Sequence, residues 1–103
     1  MKNLKWDTYE EYRDLLKDDE NAKATQRISS FYEGLGVLVK ERLINIRLVA
    51  LLMTILTRTW WEKYKPMIED SRAKSGYPRW LSESEYVYKE LMRYIVEHPE
   101  LKT

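Results

Sequence analysis

From Asn45 to Lys74 apolar and polar residues recur at helical spacing, and the pattern predicts one long helix of uneven make-up. At 100° per residue Thr57, Trp60, Tyr64, Met67, Ile68 and Ser71 fall on one side, and Ile46, Val49, Ala50 and Met53 continue it toward the N-terminus. Arg47, Thr54, Arg58, Glu62, Lys65, Glu69 and Arg72 form a polar stripe that is expected to face water. Within it Arg58/Glu62 and Lys65/Glu69 stand four residues apart, the spacing of ion pairs. Leu48, Leu52 and Ile55 point almost opposite to the first side, and Leu51 sits on the stripe itself. The first three turns are therefore apolar nearly all round, as in a helix buried from two directions, by its own chain or by another.

Three further segments carry the same periodicity. Asp7-Thr8-Tyr9-Glu10 reads as a capping box for a helix of about 8–17, with Trp6, Tyr9, Tyr12, Leu15 and Leu16 on its apolar edge. A helix of about 22–42 follows, with Ile28, Phe31, Tyr32, Leu35, Leu38 and Val39 at three- and four-residue steps. Gly34 and Gly36 interrupt it at about 1 kcal/mol each, a cost best explained by close approach of another backbone. A lone GxG without a preceding strand is no nucleotide loop. Asn45 is the expected cap of the long helix, Pro66 its expected kink and Gly76 its end. Ser82-Glu83-Ser84-Glu85 reads as a second capping box, opening a helix of about 82–97 that His98-Pro99 stops.

With 103 residues the chain makes one domain, 1–103. Three glycines and three prolines leave little material for the turns of a many-stranded fold. No cysteine is present, so no disulfide framework, thiolate metal site or cysteine nucleophile can be built, and a reducing compartment suits the chain. MKNLKWDTYEEYRD has neither an apolar h-region nor a cleavage site, and the chain reads as cytoplasmic. The longest uncharged run, Leu48 to Thr57, is about half of the ~20 residues that a spanning helix needs, so no transmembrane segment is expected. A net charge of +1 hides an acidic start, −3 over residues 1–20, beside a middle of +5 over residues 22–75. The basic middle could face phosphates, or the acidic segment could fold back on it.

Candidate chemistry is sparse. His98, the only histidine, stands at a helix end, where a C-terminal cation is sufficient reason for it. A di-iron bundle would need Glu-x-x-His, but Ile95 stands three residues before His98. Glu33, Glu41, Glu62, Glu69 and Asp70 carry no burial signal and read as surface charge rather than acid–base pairs. No catalytic, cofactor-binding or metal-ligating residue is assigned. Aromatic and basic residues do interleave near the end of the long helix: Arg58, Trp61, Lys65, Arg72 and Trp80 have the mixture that single-stranded nucleic-acid binders use. Trp61 lies on the flank of the stripe, suited either to a groove or to cover by neighbouring cations.

FYEGLGVLVKERLINIRLV followed by WWEKYKPMIEDSR resembles the pattern of a family of small prokaryotic proteins known only as a domain of unknown function. The resemblance covers about residues 28–72 and implies an all-helical fold with no assigned activity. It also implies relatives with an N-terminal membrane helix, which is not expected from the residues that open this sequence.

The resulting expectation is an all-α, four-helix domain. Helices of about 22–42 and 45–74 form a long antiparallel hairpin, and those of about 8–17 and 82–97 cover it. The function expected first is a non-enzymatic helical module without a cofactor, which self-associates as a homodimer or docks an unidentified protein through Leu48, Leu51, Leu52 and Ile55. Cover of that strip by Trp6, Tyr9 and Leu16 of the same chain is the competing arrangement. The alternative function is a nucleic-acid-binding accessory using Arg58, Trp61, Lys65, Arg72 and Trp80.

Overall fold

The computed structural model describes Glu10 and residues 19–101, and Glu10 apart, the expected helix of about 8–17 lies outside the described residues. Within them the chain is all-helical: α1 spans Asp19–Lys40, α2 Ile46–Ser75 and α3 Ser82–Glu97, and a 3₁₀ turn follows at Pro99–Leu101. No helix among the described residues is long and apolar enough to cross a membrane.

The ends of α2 follow local chemistry. Asn45, in extended conformation, accepts the Arg47 backbone N–H on its side chain at 2.8 Å, satisfying one of the orphan donors of the first turn. Gly76 closes the helix in the left-handed region, at φ 79°, where the lack of a Cβ removes the steric penalty. The start of α3 departs from the sequence reading. Its cap is Leu81, with left-handed backbone and no capping side chain, so the Ser82–Glu85 box does not form. Instead Glu33 of α1 reaches across and accepts the Ser84 backbone N–H at 2.7 Å. A carboxylate from another helix thus satisfies the donor and complements the positive end of the α3 dipole.

One core joins the three helices. Tyr32, Leu35 and Val39 of α1 meet Val49, Ala50, Trp60, Trp61, Met67 and Ile68 of α2, and Val87, Leu91 and Ile95 of α3 close the third side. α3 packs closely on both α1 and α2. α1 and α2 meet through large side chains: Tyr32 stacks on Trp60 with ring centroids 4.6 Å apart and planes 16° apart. The closest approach of backbones is at Gly36, where a Cβ would lie 1.9 Å from the Glu83 carbonyl oxygen. This accounts for Gly36 as the sequence reading proposed; around Gly34 there is nothing within 4 Å, and nothing in the structure explains it.

The kink in α2 is not at Pro66 but at Met53, whose backbone leaves the helical region at φ −140° and ψ 20°. Thr54, expected to face water, is buried and donates its hydroxyl to the Ala50 carbonyl at 2.6 Å. A buried hydroxyl must find an acceptor, and bonding back to the i−4 carbonyl bends helices. Pro66 stands on the exposed side, where the carbonyl it frees can turn toward water.

Candidate interaction surface

Opposite the core, α2 presents a strip of uncovered apolar side chains. Leu48 is 50% exposed, Leu51 51%, Leu52 75% and Ile55 59%. The strip continues to Leu56, at 64%, which the sequence reading did not single out. Leu52 and Leu56 are one turn apart, as are Leu51 and Ile55, so the five residues cover a contiguous arc of the helix.

α1 extends the surface. Phe31, Ile28 and Leu38, placed by periodicity on the core side of their helix, lie to the flank of it and are exposed or nearly so. The core arc of α1 is narrower than its apolar arc, being filled by Thr25, Tyr32, Leu35, Gly36 and Val39. Ile28, Phe31 and Tyr32 of α1 face Met53 and Leu56 of α2 across an open apolar groove of about 560 Å³. Ile28 and Phe31 with the five residues of α2 expose on the order of 800 Å², about what one partner contributes to a standard-size interface.

The nucleic-acid residues are arranged differently. Trp61 is 3% exposed, with its ring 5.9 Å from Tyr88 and 6.1 Å from Trp60, and so offers no face on which a base could stack. This corrects the reading of Trp61 as a flank residue: α3 lies over that flank and buries it. Arg72 is turned inward, its Nε donating to the Trp80 carbonyl and one terminal nitrogen to Glu85, both at 2.8 Å. Arg58 Nε lies 3.6 Å from Glu62, Trp80 packs half-buried against the core, and Lys65 is exposed. The five do not form one surface: two tie α2 to α3 or its approach, and Trp61 belongs to the core.

The polar network between α2 and α3 is structural in character. Glu85 is held below the usual carboxylate range, first by the Lys89 hydrogen bond and then, against the effect of burial, by Arg72. Burial, and then its 2.7 Å hydrogen bond to Glu62, push the Tyr88 hydroxyl up to about 12, so it is a firmly protonated donor at neutral pH. His98 stacks on Tyr94 at 4.1 Å and places Nδ1 3.0 Å from the Tyr94 carbonyl, closing the end of α3. Among the described residues no group of three or more His, Asp or Glu is placed to hold a metal ion.

The surface thus offers apolar contact. No curated protein and no solved structure matches the chain. A family model does match, over residues 1–91, and the chain accordingly belongs to the family described as Domain of unknown function (DUF4760).

Proposed function

We propose that this protein is a non-enzymatic self-association module, in which two copies join through the α2 strip and the adjoining edge of α1. In this reading the segment of about 8–17 supplies the fourth helix of the domain, and the cysteine-free composition suits a reducing, cytoplasmic setting. The observation that carries it is the uncovered run Leu48, Leu51, Leu52, Ile55 and Leu56, opposite the core of its own helix. Exposed apolar area of this extent, concentrated on one face, marks an interaction site rather than ordinary surface. A second copy is the occupant that needs no further component, since two equal patches meeting across a two-fold axis bury each other. Together they would bury on the order of 1,600 Å², the standard size of a specific interface.

The cover by the same chain that competed at the sequence level has less support. Glu10, the described residue of the N-terminal segment, is ion-paired with Lys74 at 2.8 Å. Lys74 lies roughly 30 Å along α2 from Leu52 at 1.5 Å per residue. Multi-angle light scattering across a dilution series tests the proposal, together with Leu52→Glu. The expected result is a dimer that dissociates on dilution and a Leu52→Glu variant that is monomeric with an unchanged circular dichroism spectrum. A wild-type monomer at high concentration would overturn it, and a Leu52→Glu variant that unfolds where the wild type was never a dimer would assign Leu52 to the monomer's own core.

A further inference from the structure

Resting on that reading of the strip, we infer that the two copies meet with their α2 helices antiparallel, Leu52 on the two-fold axis, and Leu48 of each copy against the α1–α2 groove of the other. In a two-fold interface the same patch is used twice, so the axis passes through the middle of the patch. Along α2, which supplies five of the seven residues of the patch, the exposed residues run from Leu48 to Leu56 with Leu52 midway, and Ile28 and Phe31 flank the Leu56 end. Leu52 is also the most exposed of the five, so it has the largest fraction of its surface to lose to a symmetry mate. The centre of an interface is where anchoring side chains are most fully desolvated.

Antiparallel pairing about Leu52 sets Leu48 of one helix opposite Leu56 of the other. Leu56 is a wall of the groove that Ile28 and Phe31 complete from α1, so the facing Leu48 has an apolar depression to enter. Parallel pairing would set Leu48 against Leu48 and Leu56 against Leu56, leaving each groove facing the other groove, with no side chain to fill either. Arg27 also lines the groove, and being exposed it keeps its charge in water while its stem flanks the entering Leu48. Arg47 and Arg58, near the two ends of the strip, are engaged within their own chain, Arg47 with the Tyr94 hydroxyl at 3.0 Å and Arg58 with Glu62.

The chain contains no cysteine, so single cysteines report the register without background. A disulfide requires Cα atoms within about 7 Å. Residues four positions off the axis lie about 6 Å from it along each helix, so in the antiparallel pair two copies of the same residue are roughly 12 Å apart. Leu52→Cys, Leu48→Cys and Leu56→Cys are made in the full chain, confirmed folded by circular dichroism, and oxidised with copper phenanthroline. Leu52→Cys is expected to cross-link with itself nearly completely. Leu48→Cys and Leu56→Cys alone are expected to stay largely uncrosslinked, while an equal mixture of the two forms the mixed disulfide. Self-cross-linking of all three variants would overturn the register in favour of a parallel pair. A dimer by light scattering in which Leu52→Cys fails to cross-link would place the interface off this axis. A monomer by light scattering would instead sink the self-association reading itself, which separates the two failures.

Discussion

Gly36→Ala and Gly34→Ala should move stability in opposite directions, although both replace a glycine within α1 by the best helix former. A methyl group in a helix interior is worth about 0.8–1 kcal/mol relative to glycine, and this gain is common to the two substitutions. At Gly34 nothing lies within 4 Å of the added carbon, so the gain stands alone. At Gly36 the carbon would lie 1.9 Å from the Glu83 carbonyl oxygen and 2.5 Å from its carbonyl carbon, which are backbone atoms that no rotamer change can remove. Relief requires α3 to retreat by on the order of 1.5 Å, an overpacking that typically costs ~1–3 kcal/mol and more when backbone must move. The retreat would also stretch two contacts at this junction, the 2.7 Å bond from Ser84 N–H to Glu33 and the 2.6 Å pair of Lys40 with Glu83. The net expectation is a loss of about 1–3 kcal/mol for Gly36→Ala, a fall in Tm of roughly 5–15 °C for a domain of this size. For Gly34→Ala a rise of a few degrees is expected. Urea titration followed by circular dichroism, with m-values compared, reads both at one protein concentration. A Gly36→Ala variant as stable as Gly34→Ala would refute the close packing of α1 on the start of α3.

Arg72→Met, which keeps much of the stem but removes the bonds to Glu85 and the Trp80 carbonyl, should destabilise by about 1–3 kcal/mol in urea unfolding, since two charge-assisted bonds are lost and Glu85 keeps Lys89 as its remaining cation. An effect below about 0.5 kcal/mol would show the lock to be an ordinary surface pair. Tyr88 should make the fold alkali-sensitive. Its hydroxyl is raised above the unfolded value, so its contribution is complete below pH ~10 and is lost as pH rises toward about 12, by on the order of 1–2 kcal/mol after solvent screening. Tyr88→Phe should flatten that part of the stability–pH curve, and an unchanged slope would exclude Tyr88 as its cause. Glu85 acts at the opposite end: its lowered value stabilises the fold above the unfolded carboxylate range, and that contribution should fade on acidification through its folded value.

What could be read along the chain was whatever depends on one helix at a time. The three described helices, the Asn45 and Gly76 caps and the inward side of α2 through Trp60, Met67 and Ile68 all follow from spacing and local turn chemistry. So does the strip, because Leu48, Leu52 and Ile55 point away from that side whatever packs on it. Most of the misreadings share a different cause, since they depend on where a neighbouring helix lies. Trp61 sits on a flank that is polar by neighbourhood and becomes core when α3 covers it, and Thr54 on the same flank is buried as well. The Ser82–Glu85 box looked sufficient locally, yet Glu33, distant in sequence, provides the cap. Phe31 and Ile28 were legible as apolar but not as uncovered, because the width of the core arc on α1 is set by its neighbours. Of the strip itself the sequence reading named all but Leu56, whose side chain completes a groove that exists only between two helices.

The composition of the outward face of α2 argues that the strip has a cover outside the described fold. The strip's arc, projected along the helix, continues past Leu56 through Thr59, Glu62, Lys63, Pro66, Glu69 and Ala73, and these six are all exposed. α3 runs along both halves of the helix on the other side, reaching Trp61 through Tyr88 and the exposed Arg47 through Tyr94, while α1 reaches Trp60 through Tyr32. The monomer's packing therefore makes the same demand of the outward arc at either end. It is met beyond Leu56 with charged, polar or small residues and no large aliphatic one, and with leucine and isoleucine up to Leu56. Leaving five large aliphatic side chains half or more in water gains the monomer nothing. It costs solubility, and placing such residues under apolar cover contributes roughly 1.5–3 kcal/mol each when they are fully buried. A change of composition at mid-helix, along one unchanged face, is what an interface with a defined boundary would leave in the sequence, and on the proposed reading that boundary would fall between Leu56 and Thr59.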